Sequence, residues 1–204
     1  MDRSLLTTHH SPLKMYSAID HFTDQCVRLS NEERAFFHSL LLPRTVGKKT
    51  FLLRKGEVCN FEAYLVKGCI RTFYIDENGF EINLQFAVED WWVSDIASFT
   101  ERKPSGLFIQ TLEACELLVI DHDRKEQLFH TYPKFERMFR LMLQRNLSVL
   151  QHRFLATVSQ PAEQRYLEFI QRYPDIQQRV PQHMIASYLG ISAEFLSKIR
   201  KRRK

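Results

Sequence analysis

The apolar residues of this chain change their period along its length, and that change narrows the possible folds more than any other feature. From Arg44 to Ile120 the pattern is that of short strands. Glu81-Ile82-Asn83-Leu84-Gln85-Phe86 alternates with a period of two, which suits a strand with one face buried. Asp76-Glu77-Asn78-Gly79 stands before it, and Asn-Gly tolerates the positive φ of a tight hairpin turn. Lys55-Gly56-Glu57 and Lys67-Gly68 are further turn signals, and residues 108–112 and 115–120 read as two more strands. Closely spaced short strands predict a small antiparallel roll. After Asp121 the period becomes helical. Asp123 is expected to cap a short helix reaching Phe129, and Pro133 to open a long one.

That long helix carries two apolar stripes. One holds Phe139, Leu143, Leu147, Leu150 and Phe154; the other holds Phe135, Met138, Met142, Val149 and Ala156. A helix that is apolar on two sides needs two partners. One stripe is expected to lie on the roll and the other on the same helix of a second subunit, with burial inside one monomer as the alternative. The second stripe, with Met138, Met142, Val149 and the interrupting Arg145 and His152, is the expected dimer interface. Upstream, Ser30 and Glu33 have the spacing of a capping box, so a helix starts there with Phe36, Phe37, Leu40 and Leu41 as its apolar face. Residues 1–14 are polar and irregular and are expected to be a disordered extension, with Met15 as a candidate start.

Ser159-Gln160-Pro161 breaks the helical pattern and marks a boundary. A helix follows from Ala162 to Tyr173, with Tyr166, Leu167, Phe169 and Ile170 facing inward. Pro181 then starts another helix with Ile185, Ala186 and Leu189 inside, and Gly190 permits the left-handed turn that stops it. Ile191 plugs the core and Ser192 caps the next helix, in which Phe195, Leu196 and Ile199 are apolar. Ala193, Glu194, Ser197, Lys198 and Lys201 point away. This is the spacing of a helix-turn-helix, whose second helix enters the major groove of DNA. The bland reading is a helical hairpin in any bundle.

Charge favours the DNA reading. The formal net charge is +5, and six basic residues stand among the last seven, from Lys198 to Lys204. That cluster exceeds the whole net excess, and Lys and Arg displace the counterions held on phosphates. On the second helix Lys198 can donate to guanine and Glu194 can accept from cytosine. Gln182, Ser192 and Ser197 suit phosphate contacts, and Arg200, Lys201 and Arg202 suit backbone affinity.

With a roll, a long two-faced helix and a helix-turn-helix in that order, residues 51–202 resemble the Crp/Fnr superfamily, the cyclic-AMP receptor protein and its relatives. Tyr64-Leu65-Val66-Lys67-Gly68 is similar to the family's strand and turn before its core hairpin. Ile185 to Ile199 follows its reading-head pattern without a gap. The resemblance implies an α+β fold: a cyclic-nucleotide-binding-domain-like roll at 15–132, a dimerisation helix at 133–158 and a DNA-binding domain with a basic tail at 159–204. It implies a homodimeric transcription regulator on a pseudo-palindromic site, with RNA polymerase as a further partner. It also places Ala193, Glu194 and Lys198 against bases, with Ala193 standing where an arginine is common. Two departures stand out. The nucleotide cassette is degenerate: Ser94-Asp95-Ile96 replaces Gly-Glu-Leu, and no Arg-Ser or Arg-Ala pair stands near Lys103-Pro104-Ser105-Gly106. A cyclic phosphate needs an arginine and converging N–H groups, so none is expected to bind unless Arg102 and Lys103 reshape the loop. The wing hairpin of many members is also absent, and the tail is expected to replace its contacts.

An effector pocket, if the roll has one, is expected around Trp92, Ser94, Asp95, Ile96, Arg102, Lys103 and Ser105. Trp91 and Trp92 read either as pocket wall or as plain core. The cysteines Cys26, Cys59, Cys69 and Cys115 match no metal or redox spacing. No histidine stands between Arg44 and Ile120, so the metalloenzyme reading of a small roll lacks ligands, and neither catalysis nor a bound metal is expected. A ligand-sensing or protein-binding module without DNA binding is the remaining alternative. No window approaches the roughly 18 apolar residues of a membrane helix and the N-terminus has no basic-then-apolar run, so a cytoplasmic place is expected.

Overall fold

Two four-stranded antiparallel sheets face each other and enclose the first core. The structure, a computed structural model, describes residues 12–202. The chain starts with α1 (Pro12–Asp24) and α2 (Asn31–Leu40). The strands follow as β1 (Leu42–Val46), β2 (Phe51–Leu53), β3 (Glu62–Lys67), β4 (Ile70–Ile75), β5 (Glu81–Ala87) and β6 (Trp91–Val93). Helix α3 (Ile96–Glu101) precedes β7 (Phe108–Thr111) and β8 (Cys115–Ile120). One sheet runs β1-β8-β3-β6 and the other β2-β7-β4-β5. Between them lie Leu53, Leu65, Ile70, Ile109, Leu117 and neighbours, all buried. This is the α+β roll that the strand pattern predicts, and the Asn78-Gly79 hairpin joins β4 to β5, with Gly79 at φ 83.

The outer face of the first sheet is covered by helices. Met15, Ile19 and Phe22 of α1 pack there with Phe37 and Leu40 of α2 against Tyr64, Trp92, Leu118 and Ile120. The Ser30–Glu33 capping box is formed, each residue satisfying the other's backbone N–H. Helix α1 starts at Pro12, so order begins before the expected limit of residue 14, and its i, i+4, i+7 spacing from Met15 is what docks it. The rest of that extension lies outside the described residues. Helix α4 (His122–Thr131) is capped by Asp121, whose carboxylate accepts from the Arg124 N–H; Asp123, the expected cap, is inside the first turn.

Helix α5 (Lys134–Ser159) reverses the expected assignment of its stripes. Phe135, Met138, Phe139 and Met142 recur at i, i+3, i+4 and i+7 and are buried on the roll. Met138 and Met142, read from sequence as dimer contacts, are therefore monomer core. Burial of each such side chain is worth about 1.5–3 kcal/mol, so this end of the helix is firmly seated. Beyond Met142 the helix leaves the sheet. Leu147, Leu150, Leu155, Phe154 and Val158 are exposed, the last two by 71% and 72%. Arg145 and His152 are exposed as well, and Val149 is half-buried against a cavity. The outward apolar face is thus the C-terminal part of the first stripe, Leu147, Leu150 and Phe154, joined by Leu155 and Val158, because the roll ends before the helix does.

Helices α6 (Ala162–Arg172), α7 (Ile176–Arg179), α8 (Gln182–Leu189) and α9 (Ala193–Lys201) form a second core around Tyr166, Phe169, Ile185, Leu189 and Leu196. The Gln160-Pro161 break separates α5 from α6 as expected.

One turn has no room for a side chain. Gly68, between β3 and β4, has φ +114, and a Cβ there would lie 2.5 Å from Cys115 Sγ and 2.8 Å from the Ala114 carbonyl oxygen. Burial pushes the Cys115 thiol up to about 11, so it stays a small neutral core group. The Gly68→Ala variant is expected to lose about 2–4 kcal/mol from combined backbone strain and overpacking. Chemical denaturation of the two proteins checks the loss.

Candidate nucleic-acid interface

Helices α8 and α9 meet at a tight turn. Gly190 adopts φ 66, and the Ile191 N–H closes back on the Ala186 carbonyl. Ser192 caps α9 by accepting from the Phe195 N–H at 3.1 Å. Leu196 and Ile199 are buried, which fixes the rotation of the helix. Ala193, Glu194, Lys198, Lys201 and Arg202 then face outward, and Ser197 is half-buried at the edge of that face. Phe195, read from sequence as an inner residue, is 45% exposed beside them, because the inward arc of so short a helix holds only Leu196 and Ile199.

The outward face is electrically uncommitted. Among the described residues, no carboxylate pairs with Lys198, Lys201 or Arg202. Three cations, Lys198, Arg200 and Lys201, occupy the last turn of α9, where the helix dipole favours positive charge. Arg200 has an additional duty: it donates to Gln182 Oε1 at 3.2 Å and ties α9 to α8. The two residues expected to reach phosphates independently are thus coupled to each other.

The reading head is seated on the roll by contacts that sequence reasoning did not find. Strand β5 is the edge of its sheet, and an open strand edge needs partners for its backbone. Ser187 on α8 supplies them: its hydroxyl donates to the Glu81 carbonyl at 2.8 Å and accepts from the Asn83 N–H at 3.0 Å. Arg153 on α5 donates to the carbonyls of Leu84, Asn83 and Tyr188, and its guanidinium lies 4.0 Å from the Tyr188 ring centre. One side chain therefore joins roll, long helix and reading head. Phe86 of β5 also meets the rings of Phe169 and Tyr188.

A second joint is ionic. Arg179 on α7 forms paired contacts with both Glu89 and Glu113 and donates to the Gly68 carbonyl at 2.7 Å. Its hydrogen bonds to the carboxylates of Glu113 and then Glu89 raise the Arg179 pKa further. Burial alone would raise the Glu89 carboxyl, but Arg179 and the Gly68 N–H overcome it and hold the group below its usual range. The signal available in sequence was a lone arginine before Val180, which nothing distinguishes from a surface residue.

The cassette segment is folded on itself. Asp95 is buried, caps α3 by accepting from the Ser98 N–H, and accepts from the Ser105 hydroxyl at 2.6 Å. Ser98 in turn donates to the Lys103 carbonyl. Arg102 and Lys103 are exposed, and Lys103 pairs with Glu101. A cavity of about 420 Å³ lies nearby, between the roll, α5 and the reading head. Of the expected pocket residues it includes Trp92, Ser94 and Ile96. Asp95, Arg102, Lys103 and Ser105 lie outside its wall, because their side chains complete the loop or face solvent.

A docked joint of this kind predicts acid sensitivity. A carboxylate depressed in the folded state stabilises above its unfolded pKa and loses that contribution as pH falls through the folded value. Glu89→Gln is therefore expected to melt below the parent at pH 7. The gap should close as pH drops below the ordinary carboxylate value of about 4.3. Thermal melts across that range check it, and a gap that stays constant counts against the pair.

Comparison with known proteins places this geometry. Residues 43–132 match the family model described as a cyclic nucleotide-binding domain. The chain is 24% identical over 164 residues to the cAMP-activated global transcriptional regulator CRP of Escherichia coli O6:H1, covering 75% of this chain and 78% of that protein. The same figures hold for CRP of Salmonella typhimurium. Among solved structures, the c-di-GMP-responsive regulator CLP of Xanthomonas campestris superposes with a TM-score of 0.69 at 18% identity, covering 85% of this chain and 91% of that one. A regulator of the Crp/Fnr family from Eubacterium rectale gives 0.68 at 14% identity, covering 91% and 87%.

Proposed function

From a chain that carries a cyclic nucleotide-binding domain homologous to that of CRP, within the fold of the Crp/Fnr regulators, we propose a sequence-specific DNA-binding transcription regulator that acts as a homodimer. Its relatives are transcription regulators, of which CRP is cAMP-activated and CLP is c-di-GMP-responsive. The observation that supports DNA reading here is the outward face of α9. It presents Glu194 and Lys198 on a helix whose rotation is locked by Leu196 and Ile199, with last-turn cations that have no carboxylate partner among the described residues. Lys198 donates to guanine O6 or N7, and Glu194 accepts from cytosine N4. Ser192 and Ser197 suit contacts to phosphate oxygens, and Lys201 and Arg202 add salt-dependent affinity.

The two kinds of contact separate by experiment. Lys198→Ala is expected to relax specificity at one base position, at about 1–3 kcal/mol. Arg202→Ala is expected to weaken all duplexes alike and to flatten the salt dependence. Fluorescence anisotropy on specific and random duplexes, across ionic strength, measures both. Absence of binding at low salt would instead favour a sensing module without DNA contact.

Support for the homodimer comes from α5. Leu147, Leu150 and Phe154 form an exposed apolar stripe at i, i+3 and i+7, a seam suited to the same helix of a second copy. Two reading heads then meet half-sites about 34 Å apart, one turn of DNA. The double variant Leu150→Glu, Phe154→Glu is expected to sediment as a folded monomer at micromolar concentration while the parent sediments as a dimer. A monomeric parent would remove the seam.

A further inference from the structure

The cavity between the roll, α5 and the reading head has walls that do not match the ligand implied by the matching domain family. A cyclic nucleotide carries a phosphate, and its recognition needs a free cation and convergent N–H groups. The wall offers one arginine, Arg153, and that group is fully engaged with three backbone carbonyls. The carboxylate in the wall, buried Glu62, is neutralised at 2.7 Å by half-buried Lys125. At the start of α3 the Ser98 N–H is taken by the Asp95 carboxylate, which would repel an anion.

The rest of the wall is apolar and aromatic. Trp91 and Trp92 form one side, Leu143 and Leu147 another, and Tyr173 and Tyr188 of the reading head close the third. Two neutral amides, Gln85 and Asn146, also line it, both half-buried. At about 420 Å³ the space falls within the range of small-molecule sites, roughly 300–1,000 Å³.

We propose that this cavity binds an uncharged, largely apolar small molecule with a neutral polar group for Gln85 and Asn146, and that it does not bind a cyclic nucleotide. The inference rests on the regulator reading above and names the chemical class of its effector. Because two tyrosines of the reading head are part of the wall, the ligand touches sensor and reader at once. Its binding therefore changes DNA affinity, and DNA changes ligand affinity by the same factor.

The chain contains a built-in reporter. Its two tryptophans both stand in this wall, so energy transfer from tryptophan to a bound probe reports the cavity directly. The full chain is titrated with the neutral probe N-phenyl-1-naphthylamine, and separately with cyclic AMP. The expected result is saturable transfer to the naphthylamine that millimolar cyclic AMP neither produces nor displaces. Ile96→Glu places a carboxylate in the wall at an exposed first-turn position of α3 that tolerates it. That variant should weaken the probe at least about tenfold with unchanged circular dichroism, and Gln85→Glu should do the same from the opposite wall. Cyclic AMP displacing the probe, no saturable transfer, or an affinity unchanged from the parent in both variants overturns the proposal. Transfer that appears only when the protein is diluted to monomer means that a second copy fills the cavity, which also overturns it. A parallel anisotropy titration with duplex DNA, with and without probe, tests the coupling, and a factor of one overturns that part. If no DNA binds at low salt, the regulator reading fails while the probe titration still decides the cavity.

Discussion

The open edge of β5 governs how the two halves of this molecule sit together. An edge strand presents backbone donors and acceptors that must find partners. Here Ser187 takes one carbonyl and one N–H, and Arg153 takes two further carbonyls before reaching Tyr188. The reading head is thus held partly by the sheet's own unsatisfied backbone. Arg179 repeats the arrangement with carboxylates, spanning Glu89 and Glu113 from α7. These contacts are polar and directional, so they define one orientation of the head where apolar packing alone would allow several.

The long helix divides its length between two tasks for a geometric reason. Its first half lies over a sheet and buries Phe135, Met138, Phe139 and Met142. Its second half runs past the edge of that sheet, so Leu147, Leu150, Phe154, Leu155 and Val158 there are left exposed. The cavity forms in the same place, where the helix has left the roll and the reading head has not filled the gap. Stripe and cavity share Leu143, Leu147 and Leu150. Any event at one is felt at the other through the same side chains.

Electrostatics distinguishes the two ends of the chain. In the roll the charged groups near the cavity are consumed by partners: Glu62 by Lys125, Asp95 by Ser105 and Ser98, Arg153 by carbonyls. At α9 the cations have no carboxylate partner among the described residues and face outward. A surface of free cations attracts phosphates, while a cavity with its charges paired favours neutral ligands.

Much of this was legible in the sequence, because it is written in local signals. The period-two run at Glu81–Phe86, the Asn78-Gly79 turn, the Ser30–Glu33 box, Gly190 and Ser192 each act within a few residues, and each is where the structure puts it. The existence of two stripes on α5 was also readable, since helical spacing alone creates them. Which stripe faces the roll was not, because Met138 and Leu147 are equally apolar and only the position of the sheet's end decides between them. Arg153, Arg179 and Ser187 were silent for the same reason: their partners lie 35–111 positions away in sequence. The sequence by itself therefore determined the roll's main strands, the order of roll, long helix and helix-turn-helix, and which residues of α9 face outward. The tertiary structure alone decided the orientation of the head, the outward seam and the composition of the cavity wall, because those depend on side chains meeting backbone groups that no local rule brings together.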